Sequence, residues 1–362
     1  MASDDTSRGR RAAWTRCLGA YVVGAAAGAL FSALHTPIPW MLGPLIALAS
    51  LRVAGVDIAA PVTGRYAGQW VIGTALGLYF TPVVVRQVVG IWYLLAAGAV
   101  FAIFVGYLSA LLLSKLSGLD RTTALFGSVP GGSAEMAVIA ERYGGRVDRV
   151  VAAQSIRILL VVVTLPFIYK FLGIHGSDAY TPTARGVDLR GLAELLGLTF
   201  IGGLFFLRLR VPNAFVLGAL AVAIPLTAAE VDFSAIPAWL STTAQCLIGC
   251  ALGSRFQRDS LHGARRFVTA TVASVLLGIV LSAAFAYGIA RASGLNPATL
   301  ILGMAPGGIA EMGVTAKVLQ LGVPLVTAFH VVRVVVILLS TAPLYARLRD
   351  LRGTRRALVD DD

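Results

Sequence analysis

The chain has 362 residues, of which 57% are hydrophobic and only 13% charged, with a mean hydropathy of +0.81; this excludes a soluble globule with a solvated surface and points to an integral membrane protein. A formal charge of +12 raises the possibility of a nucleic-acid partner. The basic residues, however, lie in short loops between apolar segments and at the two ends, where they report topology instead.

The first segment, "SRGRRAAWTRCLGAYVVGAAAGALFSAL", resembles a signal peptide with a basic leader. Its apolar core is long for one and has a counterpart deep in the chain, so we read it as a retained first helix. Six apolar segments are expected in the first half, at about 17–34, 38–54, 66–80, 88–113, 122–140 and 150–170. Six more follow at about 191–207, 212–229, 238–253, 267–290, 298–316 and 325–345. Val88 to Leu113 runs 26 residues without a charge and Phe267 to Ala290 runs 24, each more than the roughly 20 needed to cross a bilayer. The expected organisation is a basic tail (1–16), a first membrane repeat (17–172), a polar linker (173–190), a second repeat (191–348) and a C-terminal tail (349–362).

The repeat rests on a shift of 176 positions. Between Gly118–Leu172 and Gly294–Leu348, 18 of 55 positions are identical, and upstream the same shift pairs "QWVIGTALG" (69–77) with "QCLIGCALG" (245–253). With a slip of one residue, "WMLGPL" (40–45) pairs with "FVLGAL" (215–220). Short cytoplasmic loops concentrate Lys and Arg. With a cytoplasmic N-terminus and six crossings per half, Arg255, Arg258, Arg265 and Arg266 would fall outside while Glu230 and Asp232 fell inside. If the fifth apolar segment of each half dips in and returns, the basic loops move to the expected side, whereas a re-entrant third segment would again leave the arginines of 255–266 outside. The fold expected is therefore all-α and polytopic: two inverted repeats of about five transmembrane helices, each with a broken or re-entrant segment.

That segment is "SVPGGSAEM" (128–136), repeated as "APGGIAEMG" (305–313). Pro130 and Pro306 each remove a backbone donor, and Gly131, Gly132, Gly307 and Gly308 tolerate conformations no helix uses, so helix, break, helix is expected. Freed backbone survives at membrane depth only against protein or a watery cavity. Ser133 is placed to cap the helix that follows the first break, leaving amide groups for an anion; Ile309 replaces it in the second copy. Glu135 and Glu311 are candidates to bind a proton or cation, since an ionisable side chain inside a membrane is functional by default. Arg157 and Arg333, each 22 residues further on, are candidate partners for those carboxylates or for an anionic substrate; a purely structural ion pair is the alternative. His330 faces Gln154 across the repeat and either titrates or packs. Gln69 and Gln245 are read as bonding the freed backbone, with a substrate as the alternative, and Cys246 and Cys250 as small core residues.

No Walker A sequence, clustered metal ligands or soluble cofactor domain is present in the sequence, so neither catalysis nor a cofactor is expected. The doubled "PGGxAEM" followed by an arginine-bearing segment, spanning about 17–348, resembles the AbrB-duplication family of bacterial membrane proteins, whose labels name an ammonia monooxygenase or an AbrB-type transcriptional regulator. The reading carried forward is a secondary transporter of a small, anionic or other, solute in the bacterial inner membrane. Both termini are cytoplasmic, the partners are that solute and lipid, nucleic acid is excluded, and a homodimer is compatible with the Gly/Ala-rich faces. A membrane regulator acting indirectly on gene expression and a channel are the alternatives.

Overall fold

A computed structural model describes residues 2–176, 186–256, 258 and 264–360; the centre of the expected linker, 177–185, lies outside the described residues. The described residues are mostly helical, with no strand among them. In the first half, α1 is Ala2–Ala33, α2 Pro39–Val53, α3 Val62–Gly77, α4 Pro82–Gly90, α5 Trp92–Ser117, α6 Arg121–Ser128, α7 Ser133–Arg142 and α8 Val147–Phe171. In the second, α9 is Leu189–Arg208, α10 Ala214–Ala228, α11 Ala238–Gly253, α12 Arg265–Ser293, α13 Pro297–Met304, α14 Ile309–Val318 and α15 Val323–Asp360. The stretches expected as tails are helical: α1 begins at Ala2 and α15 continues to Asp360.

Boundaries follow local chemistry that the repeat duplicates. Gly118 and Gly294 end α5 and α12 in the left-handed region, at φ 75° and 72°, where a side chain would be strained. Two residues later Asp120 and Asn296 cap the next helix, their side chains accepting from the Thr123 amide (2.8 Å) and the Thr299 amide (3.2 Å).

The halves meet by exchanging equivalent elements. Helix α11 packs on α2, and its counterpart α3 on α10. Glycines of the duplicated "IGxALG" stretch make this possible. A Cβ on Gly249 would lie 2.5 Å from the Met41 carbonyl oxygen, one on Gly253 2.7 Å from that of Leu45, and one on Gly73 2.8 Å from that of Val216. Such backbone approach needs residues without side chains. The exchange extends to the ends of the halves: the Tyr169 hydroxyl donates to the Ala298 carbonyl (2.8 Å), while Tyr345 bonds the Thr122 hydroxyl (2.6 Å), and Thr122 and Ala298 are themselves repeat mates.

Six helical stretches are long and apolar enough to cross a membrane: Trp14–Ala33, Trp92–Ser117, Val147–Phe171, Leu189–Arg208, Arg265–Ser293 and Val323–Thr341. On α5 the large residues Val100, Phe104, Tyr107 and Leu111 are exposed, whereas Gly98, Ala99, Ala102, Gly106 and Ser109 are buried. Large side chains outside and small ones inside suit a helix facing lipid, and the whole is consistent with a multi-pass membrane protein. Helices α2, α3, α10 and α11 have only 15 or 16 residues, about 22–24 Å at 1.5 Å per residue, and form the interior. The sequence does not anticipate α4, a short helix joined to α3 at 93°, the shape of a broken span or re-entrant loop. Thr81 starts it by accepting from the Val84 amide, followed by Pro82 at the first turn.

Candidate functional site

Both "PGG" segments are broken where expected. Helix α6 stops at Ser128 and α7 starts at Ser133; α13 stops at Met304 and α14 starts at Ile309. The rest of the motif explains itself. A Cβ on Gly131 would sit 2.6 Å from Met136 Cε, and one on Gly307 2.6 Å from Met312 Cγ. A Cβ on Gly132 would sit 2.3 Å from Glu135 Oε2, and one on Gly308 2.0 Å from Glu311 Oε2. The methionine thus folds back over the first glycine and the glutamate over the second. Gly132 also holds φ 101°, a glycine conformation, whereas Gly308 at φ −91° does not.

The two breaks are fastened from the following helix in the same way. In α6 the Phe126 carbonyl would ordinarily accept from the amide four residues on, which is Pro130 and has no N–H. Gln154 Nε2 replaces it, donating to Phe126 O (2.7 Å) and Val129 O (2.8 Å). In α13 the Leu302 carbonyl lacks its donor at Pro306, and His330 Nε2 bonds it at 3.1 Å. One turn later Arg157 Nη1 donates to Val129 O (3.2 Å), and Arg333 donates to the Ala305 and Gly307 carbonyls through Nη1 and Nη2. Val129 and Ala305 are repeat mates, as are Phe126 and Leu302. His330 is fully buried, and its Nδ1 has no hydrogen-bond partner. Among the described residues neither glutamate forms an ion pair with Arg157 or Arg333; backbone carbonyls at the breaks take their place, because unwound backbone offers acceptors at bonding distance.

Between α5, α12 and the two breaks lies a cavity of about 20 Å³, room for roughly one water. Pro130 and Arg157 wall it from one half, Pro306 and Arg333 from the other, and Ser128, Ser109, Ser274 and Ser282 supply hydroxyls. Arg157 and Arg333 are 6% and 3% exposed, yet the Nε of each has no hydrogen-bond partner, and neither has Ser128 Oγ.

The glutamates lie apart from the cavity wall, beside charges the sequence reading did not single out as site residues. Ser133 is the first residue of α7, and Gly132 occupies the cap position. Instead of capping, the Ser133 hydroxyl accepts from Arg255 Nη1 (2.7 Å). Arg255 follows α11, outside the six long stretches. Burial and then the charge of Arg65 push its guanidinium down to about 10, against Glu311 and Glu135, which raise it; it remains a cation at neutral pH. Arg65 Nη2 donates to Asn213 Oδ1 (3.2 Å), as does Gln69 Nε2 (3.4 Å), so Gln69 bonds a side chain, where freed backbone was expected. Cys250 is buried and Cys246 half-buried, in keeping with core residues. Arg255 and Arg65 fall outside the repeat, since Tyr79 and Ser241 stand at the equivalent positions. The signal for Arg255 is its place directly after the duplicated "IGxALG" helix; Arg65 carries no comparable mark.

The chain is similar to known proteins over most of its length. The family described as "Transition state regulatory protein AbrB" matches residues 40–349. YhjN of Bacillus subtilis (strain 168) is 28% identical across 92% of this chain and 93% of its own length. A protein of Escherichia coli (strain K12) that bears the name of a regulator, AbrB, is 25% identical across 90% of this chain and 94% of its own length. With a match over most of its length, its helices membrane-apt and its two "PGG" breaks in place, this chain belongs to the AbrB family.

Proposed function

We propose that this protein is a secondary transporter of a small solute, coupled to a proton or a cation. The observation that supports it is that a broken segment and a buried arginine from each half wall one cavity. Discontinuous helices meeting between two repeats are a recurrent way to build a midplane site. In this reading the halves are inverted, each crosses about five times, and both termini are on the cytoplasmic side of a bacterial inner membrane. Glu135 and Glu311 carry the coupling ion, and no covalent chemistry is performed.

The test is flux into proteoliposomes, with a pH dye inside, under gradients of small anions, cations and neutral solutes. Replacing Glu135 and Glu311 together with glutamine should abolish coupled flux while thermal unfolding stays near the parent's. Coupling that persists in the double variant sinks the assignment of the glutamates, and absence of flux for every solute sinks the transporter; uncoupled flux would identify a channel. A regulatory reading draws on the names carried by the family and the Escherichia coli relative. It predicts a partner on the basic loops and a phenotype that survives glutamate replacement.

A further inference from the structure

We propose that the cavity between the two breaks is an oxyanion site, that Arg157 binds the oxyanion through the Nε–Nη2 edge of its guanidinium, and that the substrate class is a small carboxylate or an equally planar oxyanion. The proposal rests on the transporter reading for its role but on the geometry of Arg157 for its chemistry.

The two arginines are repeat mates and are used differently. Arg333 spends both terminal nitrogens on the break, Nη1 on Ala305 O and Nη2 on Gly307 O. It is held end-on, as a positioning residue that fixes the backbone carrying Pro306. Arg157 spends only Nη1, on Val129 O. Its Nε is buried without a partner, and no described residue accepts from its Nη2. Those two nitrogens form the side-on edge of the guanidinium, whose parallel N–H groups match the two oxygens of a carboxylate. Arg157 lines the cavity and is 6% exposed, so with Nε and Nη2 unbonded it is an incomplete fork, and buried donors left unmet are costly.

Charge points the same way. Arg157 lies within electrostatic range of one carboxylate, Glu311, and Arg333 lies within range of Arg157 itself. Two buried cations against one neighbouring anion leave the cavity wall short of negative charge. The Ser128 hydroxyl in the wall is buried without a partner; the cavity, with room for roughly one water, must widen to admit a four-atom oxyanion, and Ala102, Gly106 and Gly278 are the small wall residues beside which it can.

The test uses full-length protein in nanodiscs, titrated by calorimetry with choline acetate, choline nitrate and choline chloride. Acetate and nitrate should bind saturably, and chloride, which cannot bridge the fork, about ten-fold more weakly. Arg157→Lys keeps the charge and can still reach Val129 but loses the fork. It should cost acetate and nitrate about ten-fold or more, the size of one charge-assisted hydrogen bond, and leave chloride nearly unchanged. Because Arg157→Lys also touches the break, Gly278→Ala serves as a second variant. Its added Cβ meets only Ser109 Oγ at 3.4 Å and Val105 Cγ1 at 3.6 Å, so the fold tolerates it while the cavity shrinks, and acetate affinity should fall. Equal acetate binding in the parent and both folded variants, or no saturable binding of either oxyanion, overturns the proposal. Flux of a cation or neutral solute without oxyanion binding would leave a transporter and remove this site; oxyanion binding without flux would keep the site and remove the transporter.

Discussion

Gln154 is the sharpest point at which to test how the first break is held. It is fully buried, and its Nε2 serves Phe126 O, whose helical donor is missing because residue 130 is proline, as well as Val129 O. Leucine matches glutamine in bulk and can donate to neither. In Gln154→Leu the Val129 carbonyl keeps Arg157 Nη1 at 3.2 Å, so only Phe126 O is orphaned. An unmet buried carbonyl costs about 1–3 kcal/mol, and the second, shared bond adds about 0.6 kcal/mol, the average measured within membranes. The expected loss is therefore about 2–4 kcal/mol, read as the change in unfolding free energy of the purified protein in micelles under guanidinium. His330→Leu orphans Leu302 O alone and should lose about 1–3 kcal/mol. Exchanging the donors between halves, Gln154→His and His330→Gln, should recover most of either loss, because each residue is the other's counterpart in the repeat. A Gln154→Leu cost below about 0.5 kcal/mol, or a Gln154→His variant as unstable as the leucine one, would refute the idea that these side chains stand in for the proline amides.

Two further predictions follow from the same geometry. Gly131→Ala, whose Cβ would lie 2.6 Å from Met136 Cε and 2.8 Å from Ile337 Cγ2, should lose about 1–3 kcal/mol by overpacking, whereas Gly308→Ala meets mainly the far end of the Glu311 side chain and should cost less stability but impair coupled flux; equal unfolding curves for the two would count against the motif's internal packing. Single cysteines at Arg142 and Val318, repeat mates and both exposed, placed in a variant with Cys17, Cys246 and Cys250 changed to alanine, should react with impermeant maleimide from opposite sides of the membrane; labelling from one side would mean parallel halves.

Much of the framework was legible because duplication writes each device twice. The breaks could be read from Pro130 and Pro306, and the helix ends from Gly118–Asp120 and Gly294–Asn296, since a missing donor, a left-handed glycine and a capping side chain act within a few residues of themselves. The arginine fastening was half legible. Arg157 and Arg333 could be placed opposite the breaks by their shared spacing, but a sequence sets opposite charges against each other and does not count carbonyls, and among the described residues the breaks' carbonyls, not Glu135 or Glu311, bond the two guanidinium groups. The bend between α3 and α4 falls between the expected segments 66–80 and 88–113, where Thr81 and Pro82 start a helix that Val83, Val84 and Val85 carry on. Arg65, Arg255 and Asn213 come together only in the folded chain, 148 residues separating Arg65 from Asn213, and no local pattern marks such a meeting.

The departures from symmetry bear most directly on function. Both breaks share a proline, two glycines, a folded-back glutamate and an arginine on the carbonyl of residue 129 or 305, so the two breaks are built alike. The polar contacts around them differ. Ser133 binds Arg255, but Ile309 and Tyr79 at the equivalent positions cannot reproduce that bond. Gly132 takes a conformation that Gly308 does not, and Arg157 keeps an open edge that Arg333 has closed on Gly307. Duplication alone would yield two equivalent half-sites, each able to hold a ligand. A scaffold that repeats its framework and varies its charged groups yields a single site instead, with the first break carrying the open guanidinium and the second supplying a fixed wall against which a ligand is held.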